Sequence, residues 1–182
     1  MRHEDETWQR IGPQPDPDIT TYEGFEDFDG FALDDIYAAS PEGLFYFDGK
    51  MWEKVCPEKL FCAVGCTPDG YAYAATWIGD CEIKVFRGRG RKWKKIYSDK
   101  GERHTQPVRD IVWHDGRVWM GNWSGQYVFK KGRYVKKFTR GAPSGGYLSA
   151  TDGLLIAGSA RFAHFHRKGE GWRTLFEGWN LG

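Results

Sequence analysis

The sequence predicts an all-β fold: a small β-propeller of about four four-stranded antiparallel blades, with an extra strand near the N-terminus. Three observations predict it. A unit of roughly 40 residues occurs in four copies along the chain. Aromatic residues make up 16% of the 182 residues, with nine Trp, nine Tyr and twelve Phe beside 24 Gly. Bulky strand faces joined by glycine turns give this mixture, and a helical bundle does not. No apolar stripe of 3.6-residue period occurs, so almost no helix is expected.

The first copy of the unit runs from Ile36 to Val55, and the others start at Tyr71, Arg117 and Leu154. Three anchors recur in the same order. The first is a small residue followed by a short polar one: Ala39-Ser40, Ala75-Thr76, Gly121-Asn122 and Gly158-Ser159. The small residue allows packed sheets to approach, and the polar one can bond backbone in the turn that follows. The second is a Phe before a polar turn: Phe47, Phe86, Phe129 and Phe165. The third is an aromatic opening the next strand, at Trp52, Trp93, Tyr134 and Trp172, expected to cover the flank of one sheet against its neighbour. Gly-rich turns such as Asp48-Gly49 and Lys168 to Gly171 supply the positive φ that closes hairpins.

Ahead of each unit lies one more apolar strand, at Tyr22–Leu33, Leu60–Gly65, Val108–Trp113 and Tyr147–Ala150. Tight turns join them to the units at Asp34-Asp35, Pro68-Asp69-Gly70, Asp115-Gly116 and Asp152-Gly153. Each unit therefore reads as four strands, a to d, in up-and-down order. The residues Ser40-x-x-Gly43-Leu44-Phe-Tyr-Phe47-Asp-Gly-x-x-Trp52 resemble the two-component-regulator propeller repeat. The resemblance implies the blade. It does not carry over the sensor role of that family, because the chain has few repeats, no membrane segment and no kinase part.

Residues 1–19 read as an acidic segment with one outer-type strand near Trp8, and 20–182 as the propeller domain. Trp8–Ile11 matches the d-strand pattern of Trp52–Val55, Trp93–Ile96 and Trp172–Leu175. It would extend an outer edge, close the ring, pair with a second copy as a homodimer, or dock loosely as a tail.

The first twelve residues have no apolar core of a secretion signal, and no apolar run is long enough to cross a bilayer, so a cytoplasmic location is expected. That compartment disfavours disulfides among Cys56, Cys62, Cys66 and Cys81, which read as buried or half-buried thiols; with no C-x-x-C, zinc is the lesser reading.

No catalytic motif is present, so no catalytic residue, cofactor or metal is assigned and the chain reads as a non-enzyme. His164 and His166 share one strand face, as two metal ligands or, more simply, a polar face. Ligands of propellers bind where d–a and b–c loops converge. Trp77 and Trp123 occupy the same repeat position there, with Arg161 and His104 near the same end; they read as a binding surface or as packing between blades. Residues 1–35 hold eleven acids and two bases, and the remaining 147 hold fourteen acids and twenty-four bases, so about −9 is set against about +10. The bases concentrate in c–d hairpins, at Arg87, Arg89, Arg91 and Lys92, then Lys130, Lys131 and Arg133. They read as edge protection or as a surface for an anionic partner.

The functional expectation is a binding protein that engages a protein partner, in its specific form an immunity protein that neutralises a bacterial toxin. The partner would bear an acidic surface; nucleic acid is disfavoured by a net charge of only +1. The alternative is a small-ligand or glycan binder using Trp77 and Trp123. A propeller lyase or hydrolase ranks below both, since it would need His, Asp and Glu converging at one channel end.

Overall fold

The computed structural model describes residues 24–78, 82–100, 106–130, 133–136, 146–151, 153–159 and 162–177. They form sixteen strands in four antiparallel four-stranded sheets, each built from strands consecutive in the chain. Blade 1 comprises β1 (Asp27–Ala32), β2 (Asp35–Ser40), β3 (Gly43–Phe47) and β4 (Trp52–Cys56). Blade 2 comprises β5 (Phe61–Cys66), β6 (Ala72–Ile78), β7 (Glu82–Arg89) and β8 (Lys92–Lys100). Blade 3 comprises β9 (Asp110–His114), β10 (Arg117–Asn122), β11 (Gly125–Lys130) and β12 (Arg133–Lys136). Blade 4 comprises β13 (Tyr147–Thr151), β14 (Leu154–Gly158), β15 (Phe162–Arg167) and β16 (Trp172–Glu177). No helix occurs among the described residues. Trp8 and its predicted strand lie outside them.

The turn chemistry explains the hairpins. Between paired His114 and Arg117, Asp115 has φ +50° and Gly116 φ +70°, the two positive values of a type I′ turn. Asp48 Oδ1 accepts from the backbone N–H of Lys50 and of Met51, each at 3.0 Å, and so folds the turn between β3 and β4. The polar anchors act as expected in two blades: Ser40 Oγ accepts from Glu42 N–H and Asn122 Oδ1 from Ser124 N–H.

The first strand of each blade is the inner one. β1 packs on β5, β5 on β9, and β9 on β13, whereas any contact between β13 and β1 is marginal. Three apolar cores fill the three seams between blades. Tyr37, Leu44, Phe61, Val64 and Phe86 lie in the first, Ile83, Val85, Ile111, Val118 and Met120 in the second, and Trp119, Val128, Leu148 and Leu155 in the third. The d-strand aromatics reach backwards. Trp93 meets Tyr37 of blade 1 edge-on at 5.5 Å, and Trp172 meets Trp119 of blade 3 at 6.1 Å. Trp52, in the first described blade, packs on Phe25 and on Phe47 of β3.

Buried polar groups stitch the same seams. Asp27 Oδ2 accepts from Val64 N–H at 2.8 Å and Asp29 Oδ2 from Cys66 N–H at 2.7 Å, tying β1 to β5. Asp110 repeats the device two blades on, accepting from Leu148 N–H at 2.8 Å. The fully buried Tyr37 accepts Gly90 N–H on its hydroxyl at 2.6 Å. His114 Nε2 and His166 Nδ1 stand 3.1 Å apart across the third seam. Burial lowers both imidazoles below the ordinary His range, which favours a neutral pair with one ring donating and the other accepting.

Candidate functional site

Up-and-down blades sort their loops by end. The b–c turns and d–a connectors meet at one end of the inner strands, and the a–b and c–d hairpins meet at the other. The predicted binding residues therefore divide between two ends: Trp77 and Trp123 lie at the first, and the basic hairpin residues lie at the second. His104, Lys131, Arg161 and Cys81 are outside the described residues.

At the d–a end a cleft of about 270 Å3 opens where blades 1, 2 and 3 meet. Glu26 borders it from the head of β1, Pro41 from the β2–β3 turn, and Leu60, Phe61 and Cys62 from the entry to β5. Trp77 and Arg109 complete its polar wall. Trp77 lies inside β6, paired with Ile83, and not in the loop expected from sequence. The extra length of β6 and β7 draws it into the sheet and against the second core. Its indole N–H is buried and meets no acceptor, and the same is true of Arg109 Nε–H. Leu60 sits at φ +62°, left-handed backbone that a leucine seldom adopts. It is held there by its N–H to Pro41 O at 2.7 Å and its carbonyl to Trp77 N–H at 3.0 Å. Cys62 donates its thiol to Ala75 O, and burial pushes it up to about 12, so it stays a neutral thiol.

Trp123 occupies the β10–β11 turn at the same end but outside this cleft. It is 37% exposed and meets Tyr147 edge-on at 5.7 Å, bracing blade 3 against blade 4.

At the opposite end the basic hairpin of blade 2 is largely spoken for within the chain. Arg87 pairs with Asp69 at 3.3 Å and lies over the Tyr71 ring, 3.5 Å from its centroid. Arg89 pairs with Asp35 and covers Phe31 of blade 1. Arg91 pairs with Glu53 and, at 3.8 Å, with Asp48. Acids of blade 1 thus take up much of the charge that looked like a free patch. Besides the exposed and equally unpaired Lys95, the cations left over are Lys92 and Lys94, exposed and without an ion pair among the described residues. They line a cleft of about 490 Å3 together with Tyr71, Arg87, Arg91 and Trp93. Trp93 is fixed there by its Nε1–H to Gly90 O at 2.9 Å. Lys130 and Arg133 are exposed on the corresponding hairpin of blade 3.

His164 and His166 do share the face of β15 that meets blade 3, since they pair with Ala157 and Leu155 of its buried side. They serve different partners: His164 meets Thr174 Oγ1 at 3.2 Å, and His166 meets His114. Among the described residues no three His, Cys, Asp or Glu converge as a metal site. Cys56 is buried, Cys62 and Cys66 are half-buried, and all three are free thiols.

Sequence reasoning missed the Asp clasps, the His114–His166 pair and the Glu26–Arg109 cleft. A signal for the first existed: Asp27 and Asp110 head the inner strands of blades 1 and 3, each in register with the small anchor residue, Ala39 or Gly121.

No protein-family model matches the chain, and no curated protein matches it. Solved structures do. The chain is similar to the extracellular domain assigned to a one component system of B. thetaiotaomicron, at TM-score 0.59 and 15% identity over 85% of this chain and 22% of that one. It is similar to U3-55K at TM-score 0.61 and 10% identity, over 86% of this chain and 53% of that one. The tricorn protease follows at TM-score 0.55 and 13% identity, over 81% and 18%. The chain therefore spans between about a fifth and a half of these proteins. Likeness at such identities shows the propeller-type repeat fold and nothing finer.

Proposed function

We propose that this chain is a non-enzymatic propeller-type binding module that engages a protein partner with an acidic surface. The observation that supports it is the cleft on the outer edge of blade 2, where unpaired Lys92 and Lys94 flank the fixed rings of Tyr71 and Trp93. Cations beside rigid aromatics suit an acidic segment of a partner, since charge steers the encounter and the rings supply buried area. Lys92 and Lys94 also protect the edge of an outer strand, and both roles ask for the same exposure. An immunity protein that neutralises a bacterial toxin is the specific form we favour, because neutralisation needs a rigid surface and no catalytic set. A cytoplasmic location goes with that form.

Deca-glutamate, fluorescently labelled, is a direct probe of the cleft. The unmodified chain is expected to bind it at low salt and to lose about tenfold or more in affinity in the double variant Lys92→Glu, Lys94→Glu. Equal binding by both chains would remove the cleft from consideration.

Self-association is a second partner reading, favoured by the end blades. Any contact between β13 and β1 is marginal among the described residues, and both end blades expose apolar residues, Phe28 at 72% and Leu175 at 58%. Light scattering is expected to give about 42 kDa, twice the 20.9 kDa of one chain. A mass of one chain at micromolar concentration would overturn the dimer.

A further inference from the structure

We infer that a second copy of this chain completes the ring, with blade 4 of each copy packed on blade 1 of the other through the kind of seam that joins blades within the chain. This pairing rests on the self-association reading above and adds which faces meet.

Strand register fixes equivalent positions in every blade. Phe28 pairs with Ala38, Val64 with Ala74, Ile111 with Met120 and Leu148 with Ala157, each one residue before the small anchor. Val64, Ile111 and Leu148 lie in the seams with the preceding blade and are 3%, 5% and 8% exposed, whereas Phe28 is 72% exposed. The backbone repeats the contrast. Cys66 N–H is taken by Asp29 of the preceding blade, but Gly30 N–H, in the equivalent place, turns to its own neighbour, Asp29 Oδ1, at 2.8 Å. Blade 4 bares the opposite half of a seam. Val55 and Ile96, each third after the d-strand Trp, pack into the seam with the following blade. Leu175 holds the same place after Trp172 and is 58% exposed. Ser149 stands in register where Asp29 stands in blade 1, and it is exposed as well.

One chain thus carries both halves of a seam at its two end blades, while contact between β1 and β13 is marginal among the described residues. A contact between unlike faces either closes a ring or grows a fibre. Two copies of four blades give a ring of eight, within the usual range of about 4–8, and a third copy would exceed it. The occupant is therefore one further copy, and the product is a closed dimer with two identical seams.

Light scattering of the full chain at micromolar concentration reads the pairing, and about 42 kDa is expected, twice the 20.9 kDa of one chain. Phe28→Asp and Leu175→Asp each place a charge in the new seam and are expected to weaken the dimer by about a hundredfold or more. Both positions are exposed in the single chain, so neither change touches its core. The double variant Phe28→Asp, Ser149→Lys sets opposite charges across both seams. Within the chain Asp29 reaches Cys66 N–H, two residues from Val64, so a lysine in place of Ser149 is within reach of the Phe28 position. It is expected to recover at least about tenfold of the affinity that Phe28→Asp loses, which a misfolded chain would not do. Like faces meeting would set acid on acid and base on base, with no recovery. A single-chain mass for the unmodified protein would overturn both self-association and the ring. A dimer that survives Phe28→Asp or Leu175→Asp, or a charge pair that recovers nothing, would keep self-association and overturn this seam. Masses that keep growing with concentration would overturn the closed ring in favour of a fibre.

Discussion

Gly65→Ala is expected to cost about 3 kcal/mol and to lower the melting temperature by roughly 6–12 °C. A Cβ on Gly65 would stand 2.1 Å from the carbonyl oxygen of Ile111 and 2.9 Å from its carbonyl carbon. Both obstacles are backbone of β9, so no side chain can swing aside, and β5 and β9 must part by about an ångström. That separation opens the core holding Ile83, Val85, Ile111 and Met120, where lost contact and residual voids add to the direct clash. Gly121→Ala probes the next seam, since its Cβ would meet Gly146 O at 2.5 Å and Leu148 Cγ at 2.9 Å. Gly171→Ala is the control: nothing lies within 4 Å of its Cβ, and its backbone is not left-handed. Urea or thermal unfolding of the three variants separates close approach of blades from the general cost of losing a glycine. A Gly65→Ala chain as stable as Gly171→Ala would mean that the inner strands are not packed this tightly.

These glycines show what the sequence could and could not express. Repeating anchors fixed the number of blades, because hairpin turns and alternating strand faces are local and leave a local trace. The turn at Asp115-Gly116 is such a trace. The small anchor at Gly121 was legible as a site of close approach, but Gly65 carried no repeat signal, since Val112 and Ser149 stand near its place in other inner strands. Charge was the least legible layer. Arg87, Arg89 and Arg91 looked like one free basic patch because their partners are remote: Asp35 and Glu53 are 54 and 38 residues from Arg89 and Arg91. The cleft was half legible. Trp77 was marked by its repeat position, whereas Glu26 and Arg109 come from connectors that no repeat places beside it.

Asp27 should make stability depend on pH in the sense opposite to most salt-bridged acids. Burial raises its carboxyl to about 6, and the charge of Asp110 adds to this, against the opposing bond from Val64 N–H. A raised folded value means that the folded state binds the proton more tightly than the unfolded chain does. The contribution is fully present below the unfolded value near 4 and is lost as pH rises through about 6. A shift of this size corresponds to something on the order of 3 kcal/mol between those limits. Asp110 moves in the same direction, also chiefly by burial, and widens the window. Asp27→Asn keeps an oxygen for Val64 N–H and removes the charge. It is expected to be more stable than the unmodified chain at pH 7 and to flatten the urea midpoint between pH 4 and 6. Asp27→Ala instead strands the Val64 N–H in the seam and should be destabilised by about 1–3 kcal/mol across the whole range. A steep pH profile retained in Asp27→Asn and in the corresponding Asp110→Asn would place the titrating group elsewhere. Equal stability of the Asn and Ala variants would show that the bond to Val64 does not hold blade 1 to blade 2. The clasp thus trades stability at neutral pH for a directed tie between inner strands, which fixes their relative height at the mouth of the Trp77 cleft.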